Sequence, residues 1–211
     1  YGPALRLFND SIMKHFDQEW YTRFYGTPPA EQFRIVIGFV NGPSCYGPSR
    51  QLVGQSKEVF SIIGYAANRK GQPVLMADLG TVVHEFNHSF IKIEGDTKNA
   101  LAKSGKTIKS YSAFCMKQQA YDSWQTILEE SLVRAAEKCY FIEHWDGKVD
   151  KGIRNEMNHG FFWMPELVQT LRYYESHRKK YPTFTSFYPE IIRFFDRYVA
   201  DVEKEIQKAL K

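Results

Sequence analysis

The sequence predicts an α+β fold, on three observations. All strand-like segments fall before residue 76, a single amphipathic helix follows them, and every later periodic segment repeats at helical spacing. No internal repeat, low-complexity stretch or interdomain linker breaks the chain. Its 211 residues are enough for one substantial core. Residues 1–211 are therefore read as one domain with two sublobes, a sheet plus helix over about 1–92 and a helical part over 93–211.

Composition narrows the function classes. At 43% hydrophobic and 25% charged residues the chain is a folded globular protein, not a disordered one. No apolar run approaches the roughly 18–20 residues of a transmembrane helix. A net charge of +4 is too small to argue for nucleic acid. Lys98, Lys103, Lys106, Lys109 and Lys117 form a basic stretch without interleaved aromatics, which reads as a solvated face. Cys45, Cys115 and Cys139 are widely spaced and odd in number, giving no zinc knuckle and no disulfide framework. The chain opens at Tyr1 without a signal-like apolar segment and is read as a processed or truncated form.

Taken in order, residues 4–25 predict one amphipathic helix, with Phe8, Ile12, Phe16, Trp20 and Phe24 four residues apart. Phe33 to Val40 is the clearest strand, apolar enough to lie inside a sheet. Asn41 to Pro48 is a Gly/Pro-rich loop. Glu58 to Tyr65 predicts a second strand, Asn68 to Gly71 a turn, and Pro73 to Leu75 a short returning strand. A helix over Ala77–Ile91 follows, with Asp78 in its first turn. Later helices are expected over Thr97–Ala102, Lys106–Tyr121, Ser123–Trp145, Pro165–Lys180 and Pro189–Leu210, with Pro165 and Pro189 in first turns. Residues 146–160 read as an irregular connection.

The helix over 77–91 carries the chemistry. His84 and His88 are four residues apart, so both imidazoles leave one face, at a spacing that lets two neutral rings hold one zinc ion. Glu85 stands beside them, within reach of an activated water without being a ligand. Leu79, Val83, Phe86 and Phe90 form the opposite, apolar face.

A catalytic zinc takes a third protein ligand. In the metzincin pattern the position that needs a turn-forming Gly is here Ile91 and the third ligand position is Glu94, which stays as a reserve ligand. The gluzincin pattern takes a Glu from a later helix, and Gln125 to Ala135 offers two adjacent acids in an apolar setting. Laid on Ile127 to Leu132, that pattern puts the ligand at Glu130. Glu129 then becomes the neighbour that holds a metal-bound His by its second nitrogen. Arg134, four residues after Glu130, orients or neutralises these carboxylates.

With His84-Glu85-Phe86-Asn87-His88-Ser89-Phe90, Leu128 to Ala135, Gly160 to Val168 and Phe187 to Phe195, the chain resembles the bacterial family called domain of unknown function 4932. The resemblance spans roughly residues 30–200. It implies a zincin-like fold of gluzincin type, a zinc peptidase activity and an exported location, and it implies no particular substrate.

The expected function is zinc-dependent hydrolysis of a peptide or protein substrate. His84, His88 and Glu130 hold Zn2+, and Glu85 is the general base. His159, in the segment Asn155 to Gly160, is a candidate oxyanion donor, with Tyr46, Tyr173, Tyr174 and Tyr188 also open. Two alternatives stand beside this reading: a binding module that keeps zinc without turnover, and a metal-dependent hydrolase of a non-peptide amide.

Overall fold

The computed structural model describes residues 1–145 and 149–209. They form a mixed α+β structure that divides into two compact units, one of residues 1–23 and 27–90, the other of residues 24–26 and 91–211.

Unit 1 holds the sheet. β3 (Glu58–Ala67) is its centre. β1 (Gln32–Gly38) runs parallel to it, in register from Gln32 opposite Glu58 to Gly38 opposite Gly64. On the other edge β2 (Ser49–Arg50) pairs antiparallel, and β4 (Pro73–Leu75) folds back antiparallel on the end of β3. The Gly/Pro-rich segment before β2 is not a free loop. Tyr46 and Ile62 exchange both backbone hydrogen bonds, at 3.0 and 2.8 Å, and Phe60 N–H donates to Pro48 O at 2.9 Å. Residues 42–50 thus lie along β3 as an irregular edge. Cys45, half-buried there, accepts from the Gly64 amide at Sγ, 3.4 Å away, and all three cysteines are unbridged.

The helix expected over 4–25 is in fact three pieces: α1 (Gly2–Ser11), a short 3-10 turn (Met13–His15) and α2 (Glu19–Tyr25). Asp17 is the cause. Its Oδ1 accepts from the Glu19 and Trp20 amides at 3.0 and 3.2 Å, so it starts a new helix instead of continuing the old one. The preceding Phe16 is extended and turns its ring onto Tyr21 and Phe86.

Helix α3 (Leu79–Asn87) is shorter than the span 77–91. Asp78 is its N-cap, accepting from Thr81 N–H at 3.0 Å. His88 still has helical dihedrals at the C-cap, which preserves its one-turn offset from His84.

Unit 2 is helical throughout the residues described: α4 (Gly95–Gln118), α5 (Trp124–His144), α6 (Asp150–Asn158), α7 (Met164–Ser176) and α8 (Phe184–Ala209). Two expected helices merge into α4, because Gly105 is a packing site and not a breaker. A Cβ there would lie 2.5 Å from Trp124 Cε3, so the absent side chain lets α5 approach closely.

The irregular connection expected over 146–160 contains α6. Residues 146–148 lie outside the described residues. Helix α8 begins five residues before Pro189, with Thr183 and Ser186 capping each other: Ser186 N–H donates to Thr183 Oγ1 and Thr183 N–H to Ser186 Oγ, both at 3.2 Å. Pro189 therefore sits inside the helix. Burial of Phe187, Tyr188, Ile191, Phe194 and Phe195 around it outweighs the lost backbone bond. Leu210, the expected end of that helix, lies outside the described residues. Among the described residues no helix is long and apolar enough to cross a membrane.

Candidate functional site

In unit 1 the chemistry begins with an aromatic anchor for α3. Val82, Val83 and Phe86 are fully buried. Phe33 from β1 stacks on Phe86 with centroids 4.1 Å apart, and Tyr21 stacks on Phe90 at 5.6 Å. Tyr21 Oη also donates to Val83 O at 3.2 Å. With one face of α3 fixed in this way, His84, Glu85 and His88 are left half-buried on the other.

The two imidazoles converge. His84 Nε2 and His88 Nε2 are 3.3 Å apart, with ring planes at 76°. Two nitrogens each about 2.05 Å from one ion at a tetrahedral angle lie about 3.3–3.4 Å apart. The pair therefore already has the edge length of a tetrahedral zinc site. The Nε2 atoms are the ones that approach each other, so these nitrogens would face a shared cation.

Glu85 is packed against the edge segment of the sheet. A Cβ on Gly47 would lie 2.2 Å from Glu85 Oε2, so the carboxylate fills the space that any other residue at 47 would take. Gly47, Ser49, Lys57, Glu85, His88 and Ser89 line an open cleft of about 340 Å³. Gly47 and Lys57 carry no sequence motif, and the sequence reading did not single them out.

In unit 2 the structure brings together Glu130 and Arg134 and adds three residues. Glu130 is buried, at 8% exposure. Its Oε2 accepts from Tyr121 Oη at 3.1 Å and faces Arg134 Nε at 3.5 Å. Arg134 also donates to Tyr121 Oη at 3.1 Å and to Glu156 Oε2 at 2.8 Å, and Lys138 pairs with the second Glu156 oxygen at 3.0 Å.

Burial pushes Arg134 toward its neutral form, but Glu156, Tyr121 and Glu130 more than offset it and hold the guanidinium charged. Burial also raises the Tyr121 hydroxyl, and the Glu130 charge adds to that, so Tyr121 stays a neutral donor. One oxygen of Glu130 thus meets a phenol donor and a guanidinium charge.

Tyr121 was not legible in advance. It is aimed by the end of α4, where Tyr121 N–H donates to Met116 O and Ala120 N–H to Lys117 O around Ala120 at φ +61°. That is a Schellman ending with Ala where Gly is usual, a strain of about 1–2 kcal/mol. A Gly would have signalled the turn, and Ala hides it.

The remaining candidates take other positions in unit 2. Glu129 Oε1 accepts from the Ile93 amide at 2.9 Å and from Gln125 Nε2 at 3.2 Å, so this oxygen secures the chain ahead of α4. Glu94 is the exposed N-cap of α4 and makes no side-chain cap bond. His159 is the exposed C-cap of α6, not part of an irregular loop, and its carbonyl accepts from Gln119 Nε2 at 2.7 Å.

The family model described as Domain of unknown function (DUF4932) matches residues 1–194 of the chain. No curated protein and no solved structure matches it.

Proposed function

The chain belongs to the family Domain of unknown function (DUF4932), and from that premise we propose that it is a zinc-dependent peptidase of the gluzincin type, with a zincin-like fold. One observation carries the reading: the 3.3 Å approach of His84 Nε2 to His88 Nε2, with Glu85 on the same turn. In this reading His84, His88 and Glu130 are the protein ligands. The fit is supported within each unit, by the tetrahedral edge length of the His pair and by a buried carboxylate whose Oε2 is held by Tyr121 and Arg134. Zinc, when bound, supplies a Lewis acid that lowers the pKa of water toward neutrality and polarises a carbonyl.

The chain's own groups do the rest. Glu85 takes a proton from the attacking water and delivers it to the leaving amine. Tyr121 and Arg134 keep Glu130 oriented. The edge segment 42–50 offers backbone groups to an extended peptide. His159 is the oxyanion donor in this reading, and His159→Ala is then expected to lower kcat with little change in KM.

The test is metal content by mass spectrometry of the full chain, read together with cleavage of a mixed peptide library. About one zinc per chain is expected, lost in His84→Ala and in Glu130→Ala but kept in Glu94→Ala. Glu85→Gln is expected to keep zinc and to lose about 10²–10⁴ in cleavage rate. Zinc lost in Glu94→Ala but kept in Glu130→Ala would move the third ligand. A protein that binds no offered zinc overturns the reading.

A further inference from the structure

The cleft beside Glu85 holds a cation that the peptidase reading does not use. Lys57 lines it together with Gly47, Ser49, Glu85, His88 and Ser89. The side chain is half-buried and makes no hydrogen bond or ion pair among the described residues.

Its backbone is fixed, because the Lys57 carbonyl accepts from the Gln32 amide at 2.8 Å where β1 and β3 begin to pair. The neighbouring guanidinium groups are already committed. Glu58 takes Arg34 at 3.0 Å and Arg50 at 2.5 Å. Among the described residues no carboxylate pairs with Lys57. Ser89 also lines the cleft, and its Oγ is buried from solvent with no hydrogen-bond partner among the described residues.

A half-buried ammonium gives up part of its hydration, and an anion compensates that loss most strongly. The one anionic side chain lining the cleft, Glu85, packs against Gly47 and is committed as the base. An incoming carboxylate would meet the repulsion of Glu85, which the Lys57 ammonium in the same cleft offsets. We propose that Lys57 recognises a carboxylate of the substrate, and that the cleft thereby selects acidic peptides.

The carboxylate has two sources with the same chemistry, an Asp or Glu side chain near the scissile bond or the free C-terminus of the peptide. In calling the ligand a substrate, the proposal rests on the peptidase reading. A charge-assisted hydrogen bond in a part-buried site separates a carboxylate from its amide by about tenfold or more.

The test is calorimetric binding of three alanine-based hexapeptides to the full chain, with zinc and with a chelator. One peptide carries Glu and an amidated C-terminus, one carries Gln and an amidated C-terminus, and one carries Gln and a free C-terminus. Binding at least tenfold tighter is expected for a carboxylate peptide over the Gln amide. The Glu peptide winning identifies a side-chain subsite, and the free acid winning identifies a terminal one. Lys57→Gln is expected to bring the ratio below about twofold and Lys57→Arg to keep it, with far-UV circular dichroism unchanged in both.

Equal binding of acids and amide by wild type, or a ratio unchanged in Lys57→Gln, overturns the proposal. So does a Lys57→Gln protein that cleaves all peptides more slowly by one factor, since Lys57 would then act on Glu85. If zinc-loaded protein cleaves none of the library but keeps the carboxylate preference, the peptidase reading falls and the subsite stands. Cleavage without preference does the reverse.

Discussion

Glu85 and Gly47 show how closely the chemistry depends on one missing methyl group. In Gly47→Ala the new Cβ would meet Glu85 Oε2 at 2.2 Å, and the flexible carboxylate is what gives way. Displacement of a base by about 1 Å costs up to about 10²-fold in rate. Gly47→Ala is thus expected to cut peptide cleavage roughly 10- to 100-fold while zinc content and melting temperature stay near wild type, which metal analysis and calorimetry check together. A second residue-scale prediction concerns Glu175 on α7. Burial pushes its carboxyl up to about 7; Arg172 pulls the other way, and Glu143 adds to the rise. A carboxyl whose folded pKa lies above its unfolded value of about 4.3 stabilises the fold in its protonated form. That contribution is complete below the unfolded pKa and is lost as pH rises through about 7. The drop in melting temperature from pH 5 to pH 8 is therefore expected to be smaller in Glu175→Gln, by roughly 3–6 °C.

At the scale of elements, α4 offers the sharper test. Gly→Ala inside a helix ordinarily gains about 1 kcal/mol. At Gly105 the added Cβ would press on Trp124 at 2.5 Å and on Leu128 at 3.2 Å, and overpacking costs about 1–3 kcal/mol. Packing wins, so Gly105→Ala is expected to lower stability by up to about 2 kcal/mol in urea unfolding. The same site explains what the sequence made legible. Local signals were read well: the strand at 33–40 is Gln32–Gly38, though it lies at an edge of the sheet with alternate residues exposed and not inside it, the turn at Asn68 is closed by its own side chain, and His84 and His88 share a face because helical period alone puts them there. Signals whose meaning lies elsewhere in the chain were misread or missed. Gly105 looks like a breaker until Trp124 is known to lie against it. Phe16 fits a helical stripe, yet Asp17 ends that helix by capping the next one. Tyr121 and Lys57 carry no local pattern, since one acquires its meaning from a buried carboxylate and the other from a cleft.

For the molecule as a whole, the division of the chain is not simply N-terminal and C-terminal. Residues 24–26 belong with unit 2. Phe24 packs edge-on to Tyr174 at 5.7 Å, Tyr25 packs on Phe184 at 5.2 Å, and Arg178 donates to Phe24 O at 2.5 Å. All four aromatic rings are at most 3% exposed. A fragment of residues 91–211 lacks two of them, and losing a buried aromatic costs about 3–5 kcal/mol. Such a fragment is expected to melt at least 10 °C below the full chain and to bind a hydrophobic dye, and a peptide of residues 19–26 added in trans is expected to reverse part of both changes. Fluorescence and circular dichroism melts would read this directly.

The same arrangement has a consequence for how the protein is made. Phe24 and Arg178 are 154 residues apart. At about 5–20 residues per second, a ribosome releases Phe24 and Tyr25 roughly 10 to 30 seconds before their partners. For that interval the nascent chain carries both rings without their α7 and α8 partners. Its dependence on a holding chaperone should end only once residues near 184 have emerged.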